Sequence, residues 1–168
     1  IKFFNWLHKN SKKILTLDNK ILSEAIYKSV IIKRKYVLKD EKENLKNNNS
    51  RAILNFGHTF GHALETYYKY NKKLTHGEAI SIGMIIAATL SYKLGYLSLT
   101  HLNNIKNHFK LNNLPMSDNK MFNEKIFKII EKDKKNDNKK IKFVLIKKIG
   151  SSFISNNLNL DKIKKNLK

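Results

Sequence analysis

Small residues at every fourth position in two consecutive segments restrict the fold of this chain more than any other feature. Gly57 and Gly61 lie in the first segment, and Ala79, Gly83 and Ala87 lie in the second. A glycine inside a helix costs about 1 kcal/mol relative to alanine, so something must justify it. Two such stripes let helix backbones approach closely and leave room for a ligand. The pattern predicts a closely packed helix pair, and close packing with no ligand stays open as the alternative.

Three of the six histidines lie beside these small residues. His58 and His62 are four residues apart on one predicted helix, which places their Cβ atoms about 6 Å from each other. His76 begins the next predicted helix after a short connection. Two imidazoles at this spacing with a third ligand are a common way to hold a divalent metal, and the chain has no cysteine to supply a thiolate. The alternative is three polar residues satisfied at a helix interface.

The remaining pattern predicts one mainly α-helical domain with a minor β element. Phe3, Phe4, Trp6 and Leu7 predict the last part of a helix, and Asp18 is an N-cap candidate for the helix after it. Residues 39–50 form a polar loop without periodicity. We predict further helices over 51–70, 76–94 with Gly95 as its stop, 99–110 and 117–132, then a strand from Ile141 to Leu145 that pairs with 152–155.

Composition limits the classes of protein that remain. The 168 residues, 41% of them hydrophobic, are enough for one folded domain. The longest nearly apolar run, 79–90, is shorter than the roughly 18 to 20 residues that cross a bilayer, and no signal peptide opens the chain, so we expect neither membrane nor secretion but a cytoplasmic protein. The first residue is Ile1, which suggests a downstream piece of a longer product.

The net charge of +21 raises a nucleic-acid-binding module as an alternative. Nucleic-acid readers depend heavily on arginine, but Arg34 and Arg51 are the only arginines among 34 basic residues. The lysines are spread along the chain beside many asparagines, which favours an AT-biased genome as their origin. We therefore expect no nucleic-acid partner; such a module predicts steeply salt-dependent and zinc-independent binding.

Arg51 and Asn55 suit an anionic, hydroxylated ligand. They are four residues apart at the start of the predicted His58 helix, so they share roughly one face with His58 and His62. Arginine binds phosphate or carboxylate as a rigid fork, and asparagine can bridge hydroxyls.

Four short motifs carry a specific family resemblance. They are Leu54-Asn-Phe-Gly-His58, Gly61-His-Ala-Leu-Glu65, His76-Gly-Glu-Ala79 and Gly83-Met84. In order and spacing they resemble the signature of the 3-dehydroquinate synthases. The likeness covers nearly the whole chain and corresponds to the helical C-terminal domain of that superfamily, with its minor β hairpin near the C-terminus.

The resemblance implies a zinc- or cobalt- and NAD-dependent lyase of the shikimate pathway, on the route to chorismate and the aromatic amino acids. Its substrate is 3-deoxy-D-arabino-heptulosonate 7-phosphate and its products are 3-dehydroquinate and phosphate. In the family, C5 is oxidised transiently by NAD, phosphate is eliminated, C5 is reduced again, and the opened ring closes by an intramolecular aldol step. A homodimer is also implied.

The family pattern also implies roles for single residues. His58 and His76 become the metal ligands, and His62 becomes an acid/base or substrate-contacting residue, which corrects the spacing argument that would make it a ligand. Glu43 matches a proton acceptor. Residues for the substrate carboxylate, hydroxyls and phosphate are Lys33, Arg51, Asn55 and one of Lys134 or Lys135.

Other family parts are expected upstream of Ile1. These are the third metal ligand, a glutamate, and the whole NAD-binding domain, so residues 1–168 alone are expected to be one metal- and substrate-binding domain, inactive by itself. The loop between Glu43 and Arg51 is longer than the family pattern.

Three alternatives to this interpretation stay open. Another sugar-phosphate cyclase or a metal-dependent polyol dehydrogenase of the same superfamily would share the histidines, although Lys33, Arg51 and Asn55 favour a phosphorylated acid. A basic nucleic-acid-binding module is the second alternative. A remnant of a truncated gene is the third.

Overall fold

The chain is described by a computed structural model that covers residues 1–45, 47, 49–71, 73–136, 142–156 and 158–167, with the backbone only for 133–136. In these ranges the mainly α prediction is confirmed. The α-helices are α1 (Lys2–Leu15), α2 (Asn19–Lys39), α3 (His58–Tyr67), α4 (His76–Lys93), α5 (Leu99–Leu111), α6 (Glu124–Asn136) and α7 (Leu160–Leu167). A 3-10 helix, Arg51–Asn55, precedes α3, and strands β1 (Phe143–Lys148) and β2 (Ser151–Ser155) lie between α6 and α7. The chain divides into two compact units, Ile1–Leu54 and Asn55–Lys168.

The first unit is built on α1 and α2. The side chain of Asp18 accepts a hydrogen bond from the backbone N–H of Ile21 at 3.0 Å, which confirms it as the N-cap of α2. The ammonium of Lys28 on α2 lies 5.3 Å from the ring of Trp6 on α1. The prediction that Phe3 to Leu7 end a helix is wrong, because α1 continues to Leu15, and this extension contains three lysines, which have high helix propensity.

The second unit is organised around α4. More than half of its residues are buried, on all sides of the helix, which is typical of a central helix rather than an amphipathic surface helix. Its predicted range is confirmed within one residue, and a reciprocal capping box between Thr75 and Glu78 fixes its first turn. Gly95 follows α4 with φ of +78°, as expected of a helix stop. The core around α4 contains Phe60, Leu64, Ile82, Ile86, Leu90, Phe127, Phe143 and Leu145.

The small-residue stripes pack α3 against α4, as predicted. A Cβ atom added to Gly83 would lie 2.8 Å from the backbone nitrogen of Gly61, and one added to Gly61 would lie 3.1 Å from the carbonyl oxygen of Ala79. Because both contacts are with backbone atoms and are shorter than nearly all real Cβ contacts, the two helices meet backbone to backbone at this point. Glycine at these positions is a packing requirement.

The prediction of one helix over 51–70 is wrong. Gly57 has φ of +86°, a conformation that ends regular right-handed helix, and the chain before it forms the 3-10 helix. Since a 3-10 helix has three residues per turn, Arg51 and Asn55 are offset by about a third of a turn instead of being aligned. The continuous helix face that we expected to join these residues to His58 is therefore not present.

The predicted helix over 117–132 starts late, at Glu124. The side chain of Asp118 accepts hydrogen bonds from the backbone N–H of Lys120 at 2.7 Å and from the hydroxyl of Tyr68 at 2.9 and 3.0 Å. The bonds of Asp118 hold this segment in a turn, which competes with helix. The side chain of Asn123, directly before α6, accepts from the backbone N–H of Lys125 and caps the helix where it begins.

The β hairpin near the C-terminus is confirmed. Strands β1 and β2 pair antiparallel, from Phe143 opposite Ser155 to Lys148 opposite Ser151, with a register shift between Ile146 and Lys148. The backbone N–H of Ile146 donates to Oγ of Ser91 on α4 at 3.1 Å, which attaches the hairpin to the central helix. Ile141, the first residue of the predicted strand, lies outside the described residues.

None of the helices in the described ranges combines the length and the apolar character needed to cross a lipid bilayer.

Candidate metal centre

The fold brings the three histidines of the motif together. His58 is the first residue of α3, His62 lies one turn later, and His76 is the first residue of α4. The ring centroids of His58 and His62 are 5.3 Å apart, and each lies 6.0 Å from that of His76. The sequence leaves open whether His76 reaches back to His58, and the structure shows that it does.

Backbone contacts set this arrangement. Gly57 is the N-cap of α3, directly before His58, and a Cβ atom there would lie 2.6 Å from the backbone nitrogen of Met84. The glycines at 57, 61 and 83 therefore fix the distance between α3 and α4. The capping box at Thr75 then fixes the direction in which α4 begins, and with it the backbone of His76.

The surroundings of His58 favour the neutral imidazole ring. Its Nδ1 lies 3.4 Å from the carbonyl oxygen of Phe56, and because a carbonyl can only accept, Nδ1 carries the hydrogen and Nε2 keeps its lone pair. Burial lowers the pKa of His58, and the neighbouring His62 and His76 lower it further. These effects outweigh the Phe56 carbonyl and Glu65, which favour the charged ring.

Glu65 is the carboxylate of this cluster. It lies three residues after His62 on α3, is 8% exposed, and places Oε1 at 3.0 Å from Nδ1 of His76. One ligand atom from each of His62, Glu65 and His76 lies within 4.8 Å of the other two. Imidazole nitrogens with a carboxylate oxygen are a donor set that suits Zn²⁺ or Co²⁺, so the residues present fit such an ion.

Three further predicted site residues, Lys33, Glu43 and Arg51, belong to the first unit. Lys33 is exposed on α2, and Glu43 is exposed in the loop after it with φ of +53°. The backbone N–H of Arg51 donates to Oδ2 of Asp40 at 2.9 Å, and its guanidinium donates to the carbonyl of Glu41 at 3.2 Å. The loop prediction for 39–50 is confirmed for the described residues from Asp40 on, whereas Lys39 is the last residue of α2.

Asp40 organises that loop. Asp40 is 5% exposed, and its side chain also accepts from the backbone N–H groups of Asn44 at 2.7 Å and Leu45 at 3.1 Å. Burial raises the pKa of Asp40, but the hydrogen bonds from Arg51, Leu45 and Asn44 lower it, and the net pKa is below its usual value. One buried carboxylate thus positions the backbone that carries Glu43 and Arg51.

The last predicted residues are Asn55, Lys134 and Lys135. Asn55 is exposed at the end of the 3-10 helix. Lys134 and Lys135 lie in the backbone of α6, and their side chains are outside the described part of the chain.

Sequence reasoning missed Glu65 and Asp40 as functional candidates. For Glu65 a signal exists, because spacings of three from His62 and seven from His58 put it on the histidine face of a helix. For Asp40 the pattern offers no such signal, since its partners are backbone N–H groups up to eleven residues away.

Fold and cluster together define a mainly helical domain with a histidine and carboxylate donor set suited to a divalent metal. The chain belongs to the 3-dehydroquinate synthase family: the sequence model of the C-terminal domain of 3-dehydroquinate synthase matches residues 1–136.

Curated relatives agree with this membership. The 3-dehydroquinate synthase of Pelagibacter ubique is 45% identical over 154 residues, covering 89% of this chain and 41% of the relative. That of Dictyoglomus thermophilum is 42% identical over 170 residues, covering 98% of this chain and 45% of the relative. The chain thus spans less than half the length of these curated relatives.

Two solved structures share the fold. The 2-epi-5-epi-valiolone synthase of Streptomyces hygroscopicus, with NAD⁺ and Zn²⁺ bound, superposes with a TM-score of 0.82 at 18% identity, over 99% of this chain and 45% of its own. A 2-deoxy-scyllo-inosose synthase complexed with carbaglucose-6-phosphate, NAD⁺ and Co²⁺ superposes with a TM-score of 0.50 at 25% identity, over 70% of this chain and 33% of its own. The helical fold prediction is confirmed.

Proposed function

We propose that this chain is the metal- and substrate-binding domain of a 3-dehydroquinate synthase, an enzyme that converts 3-deoxy-D-arabino-heptulosonate 7-phosphate to 3-dehydroquinate and phosphate. Family membership supports the activity. The observation that carries the site is the meeting of His58, His62 and His76 at the α3–α4 contact. In the proposal, residues 1–168 are part of a longer two-domain, cytoplasmic, homodimeric enzyme whose other domain binds NAD.

The metal is assigned to His58 and His76. The Nδ1 atom of each ring faces an acceptor, which is the Phe56 carbonyl for His58 and the Glu65 carboxylate for His76. Each ring therefore offers its Nε2 atom to an ion. A bound Zn²⁺ or Co²⁺ supplies Lewis-acid chemistry that lowers the pKa of a substrate hydroxyl. The proposed third ligand is a glutamate on the rest of the enzyme.

The remaining residues are assigned to the substrate. His62 is exposed beside both ligands and is the proposed proton carrier or hydroxyl contact. Arg51, with Lys33, Asn55 and one of Lys134 or Lys135, supplies fixed positive charge and hydrogen bonds for carboxylate, hydroxyls and phosphate. Glu43 is the proposed proton acceptor, carried by the loop that Asp40 holds.

The proposal is tested by phosphate release from the heptulosonate phosphate in the presence of NAD⁺. Three proteins are compared. They are the longer product, which is the longest protein that the natural gene encodes around this chain, residues 1–168 alone, and a His58→Ala variant of the longer product. His8→Ala, a histidine exchange on α1 outside the cluster, is the matched control. We expect release by the longer product and by His8→Ala, and a loss of at least about 100-fold for His58→Ala, because removing a ligand vacates the metal site.

Failure of the substrate assignment has a distinct result. If a folded, metal-loaded longer product releases no phosphate from the heptulosonate phosphate but acts on another sugar phosphate, the chain belongs to a sister cyclase. Equal activity of His58→Ala and His8→Ala would contradict the metal assignment.

A further inference from the structure

Glu65 is a buried carboxylate that contacts an exposed imidazole. The side chain of Glu65 is 10% exposed and that of His76 is 61% exposed, yet Oε1 of Glu65 lies 3.0 Å from Nδ1 of His76. Burying a carboxylate is expensive unless it is hydrogen-bonded. The hydrogen bond with His76 therefore offsets the cost of burying this carboxylate. The position of Glu65 on α3 brings it within reach of His76.

The backbone alone does not orient the His76 ring. The glycine contacts and the capping box fix the first turn of α4, but the side chain of its first residue is largely exposed and keeps its rotamer freedom. A contact from outside α4 is required to hold the ring in one orientation. In the described part of the cluster, Glu65 provides that contact from the neighbouring helix.

The chemistry of the contact decides which ring nitrogen is free. An ionised carboxylate can only accept hydrogen bonds, so Nδ1 of His76 must carry the hydrogen, and in the neutral ring Nε2 then keeps the lone pair that a metal needs. His58 has the same arrangement through the Phe56 carbonyl at 3.4 Å. Two imidazoles are thereby held in the same tautomer by two different acceptors.

We propose that Glu65 is a positioning residue for the metal centre, which fixes the tautomer and ring orientation of His76 so that Nε2 faces the ion. The inference rests on the metal assignment of the proposed function and deepens it. A carboxylate behind a ligating histidine raises the basicity of the ligand, and loss of such a partner typically costs about 10- to 100-fold in metal affinity.

The alternative role for Glu65 is direct binding of the ion, since its ligand atom lies within 4.8 Å of those of His62 and His76. The short contact argues for positioning. An N–H at Nδ1 that donates to Glu65 cannot be a ligand atom, and the ion must then lie at the opposite nitrogen of the ring.

The first experiment reads the tautomer in the metal-free chain. Two-bond proton–nitrogen correlation spectra at about pH 8, where an ordinary imidazole is neutral, distinguish Nδ1–H from Nε2–H. We expect His76 to be the Nδ1–H tautomer, and to lose this preference in Glu65→Gln, because an amide can donate or accept. A predominant Nε2–H tautomer in the unmodified chain overturns the inference, even if Glu65→Gln fails to fold.

The second experiment titrates the same proteins with Co²⁺ and follows its visible absorption. We expect about 10- to 100-fold weaker binding by Glu65→Gln, with the spectrum at saturation unchanged because the ligands are unchanged. Glu24→Gln, an isosteric loss of one partly exposed carboxylate on α2, is the matched control and should bind like the unmodified chain. Equal affinities of the two variants, or a changed spectrum for Glu65→Gln that marks it as a ligand, overturn the inference.

Failure of the metal assignment is recognised separately. If His58→Ala and His76→Ala bind Co²⁺ as tightly as the unmodified chain, the proposed metal centre fails. The tautomer of His76 without metal still decides whether Glu65 fixes the ring.

Discussion

Gly57 determines, at the scale of one residue, where α3 begins. Its φ of +86° is a conformation that costs other residues roughly 1 to 2 kcal/mol, and its missing Cβ leaves space for the backbone of Met84. Periodicity suggested a helix running through this position. It could not show the break, because a pattern of apolar positions carries no information on the sign of φ.

We expect Gly57→Ala to lower the free energy of unfolding by more than about 2 kcal/mol, since backbone strain adds to a contact of 2.6 Å with the nitrogen of Met84. Gly77→Ala, in the first turn of α4, is the matched control, because a Cβ there meets nothing within 4 Å. It should be neutral or stabilising by up to about 1 kcal/mol. Urea unfolding measures both, and equal stabilities of the two variants contradict this role of Gly57.

Tyr68 makes the stability of the fold depend on pH, again at the scale of one residue. Burial of its hydroxyl and the hydrogen bond to Asp118 raise the pKa of Tyr68 to about 12. The bond therefore contributes fully below the ordinary tyrosine pKa of about 10, and its contribution is lost as the pH rises through the folded value.

In an alkaline absorbance titration we expect one of the seven tyrosines to ionise near pH 12, and this step to disappear in Tyr68→Phe. The same variant should lose about 1.5 kcal/mol of stability at neutral pH, because Asp118 loses the hydrogen bonds from Tyr68 and retains the one from the backbone N–H of Lys120. Tyr27→Phe, at an exposed position on α2, should change neither. A late step that persists in Tyr68→Phe assigns it to another tyrosine.

At the scale of secondary-structure elements, helices with local signals were predictable. The Asp18 cap, the first turn at Glu78 and the stop at Gly95 all act within a few residues, so α2 and α4 follow from the sequence. The start of α6 was not predictable, because Asp118 bonds to Tyr68, fifty residues earlier in the chain. The pairing of His58 with His62 was predictable, because it depends on one helix spacing. The approach of His76 to His58 was left open, because it depends on how α3 and α4 cross.

The side chain of Asp40 holds the loop after α2, because it accepts hydrogen bonds from three backbone N–H groups. Asp40→Asn keeps an acceptor for Asn44 and Leu45 but places an amide N–H₂ opposite the N–H of Arg51, so two donors meet. We expect lower stability at neutral pH and weaker substrate binding in the full enzyme, read as a higher KM.

The pH dependence of this variant has a defined sign. Because the pKa of Asp40 is lowered on folding, its contribution is present above the unfolded value of about 3.9 and is lost as the pH falls through the folded value. The difference in urea midpoint between the unmodified chain and Asp40→Asn should shrink below that pH. Asp18→Asn is the control, since asparagine caps helices as well as aspartate. A difference independent of pH is incompatible with this role.

At the scale of the whole molecule, charge is the dominant property. The chain carries +21, and like charges destabilise a compact state through self-repulsion. Salt shortens the reach of this repulsion to about 10 Å at 0.1 M. We expect the urea midpoint of the metal-free chain to rise from about 0.01 M to about 0.5 M NaCl. A midpoint that falls over this range indicates that attractive ion pairs dominate instead.

The contact between Gly83 and the turn at Gly57 has a consequence for protein engineering. Two main chains touch here with no side chain between them, so backbone atoms set the distance between the two helices. The size of the side chains at neighbouring positions does not set this distance. Directed evolution of such a domain can therefore change the side chains that surround its histidines. It cannot change how far apart α3 and α4 hold those histidines while the glycines at 57, 61 and 83 are kept.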